Sequence, residues 1–282
     1  TPPGGLEAYG GKGTFTNKIT LSNRGLQGSG SIDYLSSKTQ SESIFFFPDS
    51  TVAEADAFEI RKENRGNAAY PSVNANKVLV TWVPKKDYMD ITKTDKDFDL
   101  YDKQVYLDGK LRLTPAGLGG AGTAGFYDAK LLSRDFRFGQ TDFGADSAGF
   151  KLNSDDPNTF AIDAQNINAT INLNAKKGMF KANDAKSKVD FPVNMYTSNI
   201  EKFDWDIAQK SLQFQSALAD GAGYVSTSGI QDSLNFKSPL LNYSLNDYIM
   251  RATGVKQILV ADASIIPDAG LVNVEKNAKM QT

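Results

Sequence analysis

With 282 residues, 40% hydrophobic and 23% charged, the chain suffices for one large or two to three ordinary domains with a buried core. Its 31 Lys and Arg against 33 Asp and Glu leave a formal charge of −2, so the positive footprint of general nucleic-acid binding is missing. There is no cysteine and no histidine, which removes disulfides, thiolate metal sites, thiol nucleophiles and the commonest general base together. Any catalysis would rest on carboxylates, Lys, Arg, Tyr or Ser.

No run of about 18 apolar residues occurs, so nothing reads as a membrane-spanning helix. The opening TPPGGLEAYGG has neither a charged n-region nor an apolar h-region, and reads as no signal peptide. The chain reads as a piece of something longer, with flanking regions of its own polypeptide as neighbours. Ten prolines, 24 glycines, much Asn, Asp, Thr and Ser, and no Cys have the texture of an exported bacterial protein, in the envelope, on the surface or secreted.

In chain order, Gly13–Leu21 (GTFTNKITL) alternates, carries Asn17-Lys18, then alternates again, which is a hairpin pattern. Lys18–Asp33 (KITLSNRGLQGSGSID) runs into a glycine-rich stretch. The same text returns 92 residues later. Val105–Leu113 (VYLDGKLRL) has Asp108-Gly109 in the corresponding place, suited to a type I′ turn that needs positive φ at both central residues. Lys110–Gly125 (KLRLTPAGLGGAGTAG) puts Leu113 on Leu21, Gly117 on Gly25, Leu118 on Leu26, Gly120 on Gly28 and Gly122 on Gly30. The register continues without a gap, with Ile44 and Phe46 on Phe136 and Phe138, Glu54 on Asp146, Phe58 on Phe150 and Ile60 on Leu152. One residue is then lost. At offset 91, Lys85-Lys86 meet Lys176-Lys177, Met89 meets Phe180, and Asp99-Leu100 meet Asp190-Phe191. Each lysine pair lies between two alternating runs and reads as a polar turn between strands. A divergent third copy is expected from Tyr196, with Ile265 on Leu173, Gly270 on Gly178 and Leu271 on Met179 at offset 92.

Strand candidates are short and come about once per ten residues. In the second unit they are Gln104–Leu107, Lys110–Leu113, Phe126–Leu132, Asp135–Phe138, Gly149–Leu152, Phe160–Ala164, Asn168–Leu173, Gly178–Ala182 and Val189–Phe191. Ile200–Ala219 has a partial helical period, but Phe203, Trp205 and Ile207 alternate strictly and Leu212 and Phe214 resume, so it reads as a hairpin. Leu240–Met250 fits helix or strand. The expected fold is all-β, an elongated β-solenoid or stacked β-jellyroll of repeats of about 92 residues, with units 1–104, 105–195 and 196–282. Tandem β-sandwiches are the alternative.

Several clusters carry candidate chemistry. Asp95, Asp97, Asp99 and Asp102 alternate as in calcium loops, but Leu100 and Tyr106 stand where an EF-hand needs Gly and Glu. The pattern equally reads as a polar strand face with Phe98 and Leu100 inward. Asp204 and Asp206 flank Trp205, and Asp155-Asp156 precede Pro157; glycosidases need such carboxylate pairs, and strand faces and turns supply them too. Gly117–Gly122 lacks the Gly-Lys-Ser/Thr ending of a phosphate loop. Its alternate glycines, like Gly28 and Gly30, read as a bare strand face covered by an aromatic, Phe126 or Phe138. Asn168-Ala-Thr and Asn242-Tyr-Ser match glycosylation acceptors. Tyr34, Tyr88, Tyr101, Tyr106, Tyr196, Tyr243 and Tyr248 either line a glycan surface or fill a β core.

Ile258–Asp262 (ILVAD), the Pro267–Gly270 turn and Tyr196–Asp206 (YTSNIEKFDWD) resemble the strand arrays of bacterial envelope proteins. The likeness is to the open β-jellyroll family of lipopolysaccharide-transport bridge proteins and to large repetitive surface proteins of Bacteroidetes-type bacteria. That resemblance implies an all-β envelope protein and, for the transport family, a lipid conduit. The expected function is a non-enzymatic structural or binding segment of a large exported envelope or surface protein. The alternatives are a carbohydrate-active β-helix enzyme, lyase or hydrolase, and a lipid-binding open β groove. Partners would be glycan, lipid or another envelope protein, with no nucleic acid. No catalytic, cofactor or metal residue is assigned.

Overall fold

The computed structural model describes residues 1–2, 4–260 and 262–282; Pro3 of the opening TPPGG and Ala261 of the Ile258–Asp262 stretch lie outside them. Among the described residues the regular structure is antiparallel β-strand with four short 3-10 turns and no α-helix, so the fold is all-β, as the alternation requires, and it is not a closed barrel. The chain divides into two compact units, residues 1–127 with 134–143, and residues 128–133 with 144–282.

The first unit begins with β1 (Leu6–Ala8), β2 (Gly13–Ser22), β3 (Gly25–Tyr34), β4 (Ser37–Phe46) and β5 (Thr51–Ile60). A small hairpin follows, β6 (Glu63–Arg65) and β7 (Ala68–Tyr70). Then come β8 (Val73–Val83), β9 (Tyr88–Lys93), β10 (Phe98–Leu100), β11 (Val105–Thr114) and β12 (Gly117–Phe126). From β2 to β5 each strand pairs with the next, and β5 pairs with β8. β8 is shared: residues 78–83 pair with β9 and residues 73–74 with β10. β11 lies against both, residues 110–113 on β9 and 105–107 on β10. β9 and β10 are thus two halves of one strand path, broken at residues 94–97.

β4, β5 and β8 change burial parity midway. In β5 the inward residues are Thr51, Ala53 and Ala55, then Phe58 and Ile60; in β8 they are Val73 and Ala75, then Val78, Val80 and Trp82. An unbroken strand keeps alternate residues on one face. Burying both sets therefore needs an extra residue and a bend, which is what a β-bulge provides. The β3–β4 register slips between Gly28 and Gly30, and Asn17, Gly30, Lys77 and Gly122 hold positive φ midway along their strands. These strands are creased, and their two halves face a shared core. Tyr34 from one half meets Trp82 from the other with ring centroids 5.0 Å apart, and Phe15 meets Phe46 at 5.3 Å.

β13 (Ala129–Phe138) and β14 (Asp142–Asn153) contribute residues to both units. In the second unit, β15 (Phe160–Asn172) feeds two ladders. One continues through β16 (Lys177–Ala182), then β19 (Lys202–Asp206), β20 (Ser211–Gln215), β23 (Leu240–Ser244), β24 (Ile249–Thr253), β27 (Val272–Val274) and β28 (Met280–Gln281). The other continues through β17 (Val189–Phe191), β18 (Tyr196–Ser198), β21 (Ala222–Ser226), β22 (Asn235–Ser238), β25 (Ile258–Val260) and β26 (Ala263–Ile265). From β17 on, the chain visits the ladders two strands at a time, so each crossing is a crease like that between β9 and β10. Inward rows stack aromatics in register: Phe180, Phe203 and Phe214 are successive partners. Phe191 of the second ladder packs on Phe214 and Tyr243 of the first at 5.1 and 5.7 Å, joining the layers.

Several local expectations give way. Asn17-Lys18 and Asp108-Gly109 are not hairpin turns; they lie midway along β2 and β11, which are single ten-residue strands. The chain reverses later, where Ser22 pairs with Gly25 and Thr114 with Gly117. β11 is paired along both edges, and a turn at Gly109 would forfeit most of those ladder bonds. Phe126–Leu132 is split by a turn at residues 127–128. Conversely, Phe160–Ala164 and Asn168–Leu173 are halves of one strand, separated in sequence only by the parity change at the crease. The lysine turns correspond at offset 89, because Val83 pairs with Tyr88 and Asn172 with Lys177. At the C-terminal end Gly178 lies in β16, whereas Gly270 ends a 3-10 turn, so that match fails. The hairpin expected in 200–219 is β19–β20, and 240–250 is the strand pair β23–β24.

Candidate functional site

β2 carries an open edge. β1 covers it only at Gly13–Phe15, with Leu6 opposite Phe15. The Thr1 amine then donates to the Asn17 carbonyl at 3.1 Å, and the Asn17 N–H donates to Thr1 Oγ1 at 2.9 Å. Beyond Asn17, no strand among the described residues pairs with the outer edge of β2. An uncovered strand edge presents N–H and C=O groups in the spacing another strand needs. Beside this edge lies an apolar recess of about 440 Å³, lined mainly by Leu6, Phe15, Ile19, Leu26, Phe46 and Phe47.

Tyr9 borders the recess. It sits at positive φ, and its hydroxyl lies 2.8 Å from the Phe47 carbonyl and 2.7 Å from that of Ser50, latching the β4–β5 turn. Burial is the main cause of its raised pKa, opposed by hydrogen bonding to Thr51 and Phe47. Tyr101 repeats the device, with positive φ and its hydroxyl 3.0 and 2.7 Å from the Gly139 and Asp142 carbonyls. Desolvation holds its pKa well above the usual tyrosine value. Sequence reading missed Tyr9 and the open edge. Following offset 92 upstream of Gly13 would have found them, since it lays Leu6 on Phe98 and Tyr9 on Tyr101.

The sequence candidates scatter over other surfaces. Phe98 and Leu100 are inward, and the aspartates around them are engaged singly: Asp97 with Lys93 and Asp102 with Ser72. Among the described residues no group of three or more acidic side chains converges on an ion position. Trp205 is buried, whereas Asp204 and Asp206 point to the opposite face of β19, with Asp206 3.8 Å from Lys177. The tryptophan and the carboxylates therefore do not share a surface. Asp155 pairs with Lys276 at 2.8 Å, which lowers its pKa, and Asp156 caps its own turn through the Asn158 N–H. Tyr34, Tyr101, Tyr196 and Tyr243 are core residues, and Tyr106 is exposed. A shallow polar shelf of about 180 Å³ lies on β4, β5 and β8, where Lys38, Glu59 and Asn74 are register neighbours.

No protein family, curated protein or solved structure matches the chain. The class of architecture is an antiparallel all-β protein of creased meanders in which β2 has an open edge beside an apolar recess.

Proposed function

We propose that the chain is a non-enzymatic structural segment of a large exported cell-envelope or cell-surface protein, assembled by repeating a creased meander of about 92 residues. One observation carries the reading. β2, β3 and β4 span 13–22, 25–34 and 37–46, and β11, β12 and β13 span 105–114, 117–126 and 129–138, each displaced by 92 without a change of length. The tyrosine latches follow the same displacement at both turn carbonyls, Tyr9 to Phe47 and Ser50 and Tyr101 to Gly139 and Asp142, while the Tyr9 contact to Thr51 has no counterpart at Phe143. Units 1–104, 105–195 and 196–282 then stand as successive copies, the third supported by β19, which ends at Asp206, 92 residues after Thr114. Units that bury their faces against neighbours suit a scaffold lengthened by adding copies. The absence of cysteine and the resemblance to envelope strand arrays support the exported setting.

The test is to insert a second copy of residues 13–104 between residues 104 and 105. The lengthened chain is expected to fold, with unchanged circular dichroism per residue and a larger maximum dimension in solution scattering. Aggregation or a disordered insert overturns the modular reading. Turnover on a polysaccharide panel that Asp204→Asn abolishes would replace it with an enzymatic one.

A further inference from the structure

The recess beside β2 has a covered counterpart beside β11. At offset 92, Ile19 matches Leu111, Leu21 matches Leu113 and Leu26 matches Leu118. Leu113, Leu111 and Leu118 are 0%, 1% and 3% exposed, whereas Leu21, Ile19 and Leu26 are 79%, 37% and 38% exposed. The first set is covered by β9, where Met89 faces Leu113, Asp90 faces Arg112, Ile91 faces Leu111 and Thr92 faces Lys110, and by β7, which packs on β12 and whose Tyr70 hydroxyl donates to the Thr114 carbonyl at 2.8 Å. β10, the other half of the same path, pairs Phe98, Asp99 and Leu100 with Leu107, Tyr106 and Val105. Its counterpart is present as β1, which pairs Leu6, Glu7 and Ala8 with Phe15, Thr14 and Gly13 in the same register. Among the described residues one half of the covering path lies on β2 and the other half does not.

We propose that the open edge at residues 18–21 is a docking groove for an extended polypeptide segment lying antiparallel to β2. Its apolar side chains fall opposite Ile19 and Leu21 and its polar ones opposite Lys18 and Thr20. The occupant is an extended segment with the apolar–polar alternation of residues 88–92, entering the groove at Thr1. Lys93 less 92 is position 1, and Thr1 already bonds to Asn17, the counterpart of Gly109, at the mouth of the groove. Residues leading into Thr1 would run directly along Lys18 to Leu21, as residues leading into Lys93 run along Lys110 to Leu113. Strand addition satisfies the free N–H and C=O groups and supplies side chains for the recess together. This inference rests on the modular reading above.

The experiment grafts a copy of residues 88–92 (Tyr-Met-Asp-Ile-Thr) directly in front of Thr1, with a five-residue Gly-Ser extension as control. Amide hydrogen exchange at residues 18–22 is expected to slow about tenfold or more in the grafted chain and not in the control. Replacing the grafted isoleucine by lysine is expected to abolish the protection. Equal exchange in graft and control overturns the proposal. So does protection of the ungrafted chain that rises with its own concentration, which assigns the edge to a second copy. Protection of the ungrafted chain by phosphatidylcholine vesicles also overturns it and assigns the recess to lipid. A protected graft beside a disordered inserted unit would remove the modular reading alone; the reverse result would remove only this one.

Discussion

Gly30 and Gly122 occupy positions that no side chain can take without moving backbone. Both hold positive φ, and a Cβ would lie 2.0 Å from the Thr16 carbonyl oxygen at Gly30 and 2.1 Å from that of Asp108 at Gly122. Gly28 and Gly120 differ in kind. There a Cβ meets Phe46 at 2.9 Å at Gly28, and at Gly120 it meets Phe138 at 3.0 Å together with the Lys110 carbonyl oxygen at 2.8 Å, so an aromatic does cover the glycine, and in the second copy it is Phe138. Phe126 packs instead against Phe143. Gly120→Val is expected to cost about 1–3 kcal/mol by overpacking. Gly122→Val should cost more, because strained φ adds to the clash. Urea melts of the two variants give the order, and equal losses would place both glycines in one environment. Tyr101→Phe removes the hydroxyl proton shared by the Gly139 and Asp142 carbonyls, of which Asp142 keeps the Gly139 N–H, and should cost about 1–3 kcal/mol.

At the scale of the strand, the paired edges make a matched experiment. Leu113 and Leu21 occupy equivalent places on β11 and β2, but only Leu113 lies under a neighbouring strand. Leu113→Ala is expected to lose about 2–5 kcal/mol, transfer and cavity contributions together. Leu21→Ala should stay within about 0.5 kcal/mol, since its side chain is already in water. Thermal melts of the two variants decide the matter; comparable losses would mean that Leu21 is covered in solution. How far each strand was legible depended on parity. Val189–Phe191 and the β19–β20 hairpin have unbroken alternation and are legible to within a residue or two, whereas β8 is legible only in its last four residues, past its change of parity. β15 was read as two strands because its apolar residues change parity at Gln165 and Asn166.

Across the whole molecule, buried tyrosines make the fold sensitive to alkali. Desolvation raises Tyr34 and Tyr196 to about 12, and raises Tyr224 and Tyr243 further. A phenol whose folded pKa lies above its unfolded value holds more protons folded than unfolded between the two. The stability it contributes is complete below about pH 10 and is lost as pH rises towards 12. Unfolding followed by circular dichroism is therefore expected to set in above about pH 10. Tyr34→Phe and Tyr196→Phe should each flatten the fall, and a flat profile to pH 12 would mean that water reaches these hydroxyls. At the acid end the ion-paired Asp56, Asp155, Asp220 and Asp247 have lowered pKa values, but they are surface pairs and contribute little.

Composition and alternation by themselves determined the all-β class, the reversals flanked by unbroken period-two runs, and the 92-residue spacing that strand limits later matched. These are local properties, set by which side chains a strand can bury on one face. The tertiary structure decided the rest. Asp108-Gly109 has the chemistry of a turn, yet β9 and β10 on one edge and β12 on the other hold it in a continuous strand, with Gly109 facing Gly122. Nor could alternation separate Leu21 from Leu113. The two residues sit in equivalent sequence, and the cover that β9 and β7 give to one of them makes it core.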